Sequence, residues 1–169
     1  MLGKHEHGHG TLNIAIEGNK IVIELHAPGD DIVGFEHPAS TAEDKATLAN
    51  ALATLKAPLS LFFLPNQAVC RVDRATVAQV AGSEREHEKE SHEKHENHEE
   101  HKEHEGHSEF HAEYTLTCAQ PQAIRRIAFP FFSQFPRSHE LDVTLLTAGG
   151  QTAYEVKRDT PAIEIRPGH

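Results

Sequence analysis

The chain has 169 residues and a formal net charge of −10; without one histidine-rich stretch about 140 remain, enough for a single packed domain. Residues 84–111 hold eleven glutamates against four basic residues, so the remainder is only mildly acidic, and with no basic stripe to neutralise phosphates a nucleic-acid partner is excluded. No apolar run approaches the roughly 18 to 20 residues of a bilayer-spanning helix, which argues against membrane insertion, and Met1-Leu2-Gly3-Lys4 opens no signal peptide, so an exported form would have had its signal removed.

The chain opens on His5-Glu6-His7-Gly8-His9-Gly10. Residues 11–17 and 20–27 then alternate cleanly around Gly18-Asn19, which predicts a β-hairpin. With Glu17 opposite Lys20, Ile16 meets Ile21, Ile14 meets Ile23 and Leu12 meets Leu25, so the apolar faces coincide. The other face carries Asn13, Glu17, Glu24 and His26. If the first strand continues backward, His5, His7 and His9 join that face, with His26 opposite Thr11 and diagonal to His9. In an extended chain, H-x-H spacing puts side chains about 6 to 7 Å apart, close enough to share one ion. The bland alternative is a polar tail or the remnant of a purification handle.

Residues 28–38 read as a loop, with His37 as a hydrogen-bonding residue rather than a ligand. Ser40-x-x-Glu43 is a capping box that predicts a helix with Leu48, Leu52 and Leu55 on its apolar stripe, stopped by Pro58. Residues 59–64 form an apolar strand or core segment, and 68–80 a strand with Cys70 and Val72 on one face. Order returns at Phe110, where Phe110, Ala112, Tyr114, Leu116 and Cys118 alternate inward and His111 points outward. Cys70 and Cys118 thus lie in strands on either side of the insert. Two thiols near many histidines could ligate metal. A disulfide is preferred, because the alternation turns both sulfurs towards the core; it would close a loop of about 49 residues and stabilise by about 4 kcal/mol in the chain-entropy model.

Phe129, Phe131, Phe132 and Phe135 sit among prolines, a core-filling segment that covers one end of the sheet. A second hairpin turns at Gly149-Gly150 and is expected to set Leu145 against Tyr154 and Val143 against Val156. His139, at the start of that hairpin on the face of Leu141 and Val143, reads as a buried structural residue. Residues 162–166 make a short last strand.

Between the cysteine-bearing strands lies the most distinctive stretch, with His87, His92, His95, His98, His101, His104, His107 and His111. Scarcely any side chain there is apolar, so it cannot bury enough surface to offset its ordering entropy, and residues 82–108 are expected to be a disordered loop. Neutral imidazole is the commonest protein ligand for zinc, copper and nickel, and carboxylates can complete a shell. From His92 to His107 the histidines recur every third residue. In an α-helix each such step turns about 60° backwards, so no single face collects them and several overlapping sites result. Overlapping sites suit buffering or transfer rather than catalysis. Protons should compete with metal as pH falls from about 7 towards 5. No His-Glu-x-x-His, nucleophile elbow, phosphate-cradling glycine loop or Cys-x-x-Cys occurs, which argues against an enzyme.

The opening His-Gly motif running into the first strand, Gly34-Phe35-Glu36-His37, residues 65–70, the histidine-rich insert and the Phe-Pro segment before a strand pair together resemble the ZrgA-like family of bacterial periplasmic zinc-associated proteins. The resemblance covers nearly the whole chain. It implies export to the periplasm, where a disulfide would persist, Zn(II) binding with several ions, and zinc acquisition alongside a zinc transporter component in the inner membrane. The histidines from His87 to His111 carry over as ligands, with His5, His7 and His9 as a second set that His26 joins from the hairpin.

The expectation is therefore one α+β domain, mainly antiparallel sheet with one amphipathic helix. Residues 11–80 and 109–166 form the β-rich body and 82–108 the His/Glu-rich loop, in a monomer or weak oligomer that captures, buffers or delivers Zn(II). Copper or nickel buffering is the nearest rival, since the Irving–Williams order favours those ions at such ligands. A transporter-docking module is the rival of a different class.

Overall fold

The first hairpin forms as its alternation requires. In the computed structural model, which describes residues 7–81 and 108–166, β1 (His9–Glu17) pairs antiparallel with β2 (Lys20–Pro28) in the expected register, including Glu17 opposite Lys20 and Thr11 opposite His26. Leu12, Ile14, Ile21, Ile23 and Leu25 are all buried on one face, each contributing about 1.5–3 kcal/mol of transfer free energy. Residues 82–107, with His87, His92, His95, His98, His101, His104 and His107, lie outside the described residues, as does His5.

A six-stranded sheet grows from this hairpin in the order β3-β4-β2-β1-β6-β7. β4 (Ser108–Cys118) pairs with β2, and β3 (Cys70–Ala81) covers β4 as an edge strand. On the other side β6 (Glu140–Thr147) lies parallel to β1 and forms a hairpin with β7 (Gly150–Lys157). β3 and β4 are antiparallel neighbours and Ala81 pairs with Ser108, so the histidine-rich insert leaves and rejoins the sheet at adjacent points. Cys70 and Cys118 stand directly opposite each other at the far end of the same pair and form the expected disulfide.

The inner face packs on α2 (Ala42–Leu55) and on the phenylalanine segment, which ends in the short α3 (Phe131–Gln134). Leu55 is fully buried and Leu48 and Leu52 partly so, and Tyr114 of β4 fixes the helix end by donating to the Leu55 carbonyl at 2.6 Å. Phe62 meets Tyr114 and Phe129 edge to face, and all four phenylalanines of the segment are buried as the sequence indicates. Below them β5 (Arg126–Ala128) pairs with β8 (Ala162–Glu164) in a second, two-stranded sheet.

Four local expectations are corrected and one open alternative is resolved. Thr41, not Ser40, caps α2, its hydroxyl accepting from the Asp44 N–H at 2.9 Å; both residues suit the role, and the turn geometry selects the second. The loop after β2 begins with a short helix, α1 (Gly29–Val33), whose Ile32 and Val33 face the core. Residues 59–64 are a core segment rather than a strand: a 3₁₀ turn at Pro58–Ser60 precedes buried Leu61 and Phe62, and only Phe63 makes a bridge, to Ala128.

The second hairpin turns one residue earlier than expected, at Ala148-Gly149, so Val143 faces Tyr154 and Leu141 faces Val156. A two-residue slip keeps every side chain on its own face, which is why alternation cannot detect it. His139, expected to be buried, is exposed. It precedes β6, where strand alternation no longer controls side-chain direction.

Candidate metal-binding face

Antiparallel pairing brings β2 His26 and β4 His111 directly opposite one another on the outer face. Their rings stack with centroids 4.1 Å apart and planes 12° from parallel. His111 Nε2 lies 2.8 Å from Glu109 Oε1. The carboxylate accepts, so Nε2 carries the hydrogen and the His111 Nδ1 lone pair is the one a cation can use. A carboxylate fixing the distal nitrogen of an imidazole is the usual outer shell of a protein metal site.

The neighbouring pair on the same strands is Glu24 opposite Glu113. These four side chains, with Thr76, Val77, Ala78 and Ala112, line an open cleft of about 330 Å³. A metal lies in the plane of each imidazole it binds, and two parallel planes 4.1 Å apart share no such point. Joint ligation therefore requires one ring to tilt out of the stack.

The same row continues across the sheet. Paired positions run Ala78, His111, His26, Thr11, Asp142 and Glu155 from β3 to β7, and the adjoining row joins His9 to Glu140 and Lys157. Glu140, Asp142 and Glu155 each place a ligand oxygen within 4.8 Å of the others, the one such group of three among the described residues. His9 Nδ1 stands 3.9 Å from Glu140 Oε2. Burial holds the Glu140 carboxyl above its ordinary range, reinforced by its hydrogen bond to Asp142 and by the charges of Asp142 and Glu155, while His9 opposes the shift. Two groups of ligands thus share one face, an imidazole-rich and a carboxylate-rich cluster whose nearest members, His26 and Asp142, stand two strand spacings apart, about 10 Å.

His9 takes the place expected of it on the face of His26. His7 does not, because the strand does not continue backward. Gly8 has φ +91°, a conformation that favours glycine, and its N–H donates to Asp31 Oδ1 at 2.7 Å. The turn sends His7 to Glu36, with Nε2 and Oε2 3.2 Å apart. Asp31 itself is buried, which pushes its carboxyl up to about 6 against the lowering effect of the Gly8 hydrogen bond. His37 has the hydrogen-bonding role expected, donating from Nδ1 to the Pro38 carbonyl at 2.9 Å and stacking on Phe35.

Sequence reading missed Glu109, Glu113 and the Glu140, Asp142, Glu155 group. The first two carried a signal, since they alternate with the inward residues of β4. The third did not: the expected register of the second hairpin sets Asp142 opposite Lys157, an acid beside a base, whereas the actual partner is Glu155.

Residues 4–165 match a family model described as ZrgA family zinc uptake protein. A search of curated proteins finds no match to the chain. Among the described residues no helix is long and apolar enough to cross a membrane.

Proposed function

The chain belongs to the ZrgA family of zinc uptake proteins, a family of uptake rather than catalysis, and from that premise we propose that it captures Zn(II) on its histidine-rich insert and passes it to the outer face of the sheet. The observation that carries this reading is the His26–His111 pair, stacked at 4.1 Å and oriented by Glu109. His111 stands on the strand that receives the insert, three residues after Ser108. Ser108 is buried against Gly29, where its Oγ fills the space a Cβ would take. The root of the insert is therefore fixed beside the pair.

Ligand competition within the run His87, His92, His95, His98, His101, His104 and His107 gives high stoichiometry and fast exchange. The pair on the sheet gives the ion a defined position from which a partner can take it. Zinc accepts a mixed nitrogen and oxygen shell of four ligands, with imidazole nitrogens about 2.0–2.1 Å away, and two histidines among Glu24, Glu109 and Glu113 supply such donors. We place this work in the periplasm, with a zinc transporter component of the inner membrane as the recipient; the disulfide supports an oxidising compartment.

Native mass spectrometry with stepwise zinc addition, joined to chelator competition, tests the proposal. The H26A/H111A double variant is expected to lose the tightest ion while retaining the looser ones. Deletion of 82–107 is expected to lose most of the stoichiometry and keep the tight ion. A double variant with an unchanged binding isotherm would falsify the role of the pair. The same competition run with Cu(II) and Ni(II) ranks the ions that the Irving–Williams order would favour.

A further inference from the structure

Three features converge on Gly8. Its carbonyl accepts the N–H groups of His139 and Glu140, at 2.8 and 2.9 Å, which locks the N-terminal segment to the start of β6. The His139 ring lies against its α-carbon: a Cβ added to Gly8 would stand 2.6 Å from His139 Cδ2. A side chain at residue 8 would displace the His139 ring, and the hydrogen in its place lets an imidazole rest on the backbone. His7, one peptide away, has its α-carbon about 3.8 Å from that of Gly8 and holds Glu36 through Nε2 at 3.2 Å. Both histidines are exposed, whereas the Glu36 side chain is only 11% exposed.

We propose that His7 and His139 form a second two-imidazole site for a divalent cation at the Gly8 turn, with Glu36 orienting His7. The inference extends the zinc reading above to residues that reading does not use. Its arrangement resembles that of His111 and Glu109: a carboxylate stands beside Nε2, here as an ion-pair contact, and leaves Nδ1 as the donor towards metal. Glu36 also accepts from the Asp30 N–H at 3.4 Å, so it is held from behind.

Two nitrogens on one tetrahedral zinc stand about 3.3 Å apart, given bonds of about 2.0–2.1 Å, a span that two imidazoles flanking one residue can meet by side-chain rotation. Arg137, two residues before His139, is engaged by Asp30, donating to its carboxylate at 3.3 Å and to its carbonyl at 3.1 Å. Its charge is thereby largely offset. The buried Asp31 carboxylate, bound to the Gly8 N–H, adds negative potential beneath the turn.

Diethylpyrocarbonate labelling of the full chain, read histidine by histidine by mass spectrometry, tests this without interference from the insert. At zinc concentrations ten times the site's dissociation constant, labelling of His7 and His139 is expected to fall about tenfold and to recover on adding EDTA. In the H139Q variant zinc should no longer protect His7, and in H7Q it should no longer protect His139. His139 is exposed and its backbone bonds survive substitution, so H139Q should keep the wild-type melting curve. Labelling indifferent to zinc, or protection of either histidine that persists without the other, overturns the site. His26 and His111 are read in the same spectra, so failure of the Gly8 site is distinguishable from failure of the sheet-face pair.

Discussion

The outer face of the sheet holds two clusters of potential ligands that differ in what they bring together. Around His26 and His111 the nitrogens lead and carboxylates support them, whereas around Glu140, Asp142 and Glu155 the oxygens crowd and only His9 adds nitrogen. Imidazole suits zinc over protons at neutral pH, since a neutral ring offers its lone pair without first losing a charge-stabilised proton. Crowded carboxylates instead favour retaining a proton, and at Glu140 the hydrogen bond and charge of Asp142 and the charge of Glu155 add to burial, the larger cause, in raising the carboxyl. Ligand type, rather than ligand number, separates the proposed zinc platform from an acidic patch on one surface.

The comparison can be broken most directly at the imidazoles. Removing both in H26A/H111A is expected to weaken the tightest zinc site by more than the 10- to 100-fold typical of losing an outer-shell partner, as measured by chelator competition. The D142N/E155Q variant should leave that constant within a factor of about two. If the acidic variant loses the tight ion and the histidine variant keeps it, the two assignments are reversed.

Asp31 is a buried carboxylate outside both clusters, and its shift is led by burial rather than by crowding. Its folded pKa, about 6, stands above the ordinary value of 3.8. The folded state therefore holds the proton more tightly than the unfolded chain, and stability is lost as pH rises from about 4 through 6. Asp31→Asn is expected to raise stability at pH 7 by about 1–3 kcal/mol and to flatten urea midpoints between pH 4 and 6. A variant that follows the wild-type pH curve would contradict this.

Smaller effects sharpen the contrast. Glu109→Gln should weaken the tight zinc about tenfold without changing the number of ions, because the outer shell loses charge while both imidazoles remain; an unchanged constant would show that Glu109 does not orient His111. Glu155→Gln should stabilise the fold at pH 7 by less than about 1 kcal/mol, since like charges on paired strands cost little at an exposed edge. It should also lower the Glu140 pKa, observable as a displaced carboxyl titration by NMR. That shift should be absent if burial alone raises Glu140.

Much of the relevant face was legible. Thr11 opposite His26, His111 pointing outward and Cys70 bridged to Cys118 all follow from period-two alternation anchored by a two-residue turn or by one long strand. The slip in the second hairpin escaped because two registers two residues apart bury the same residues. That slip exchanged Lys157 for Glu155 opposite Asp142 and created the acidic cluster. The placement of His7 and His139 escaped for a different reason: Gly8 turns the chain by its φ angle, and a glycine in a sequence does not announce the sign of φ.

The sequence by itself determined which side of each strand meets water, and hence that His9, His26 and His111 would share an exposed face. It also determined the composition of the insert, where histidine and glutamate leave no apolar surface to bury. Only the tertiary structure decided which strands are neighbours. The parallel contact of β1 with β6 and the seating of His139 on Gly8 join residues more than a hundred positions apart. Alternation encodes a direction relative to the core and carries no information about the partner across the gap, so that choice is left to packing and to hydrogen bonds closed at long range.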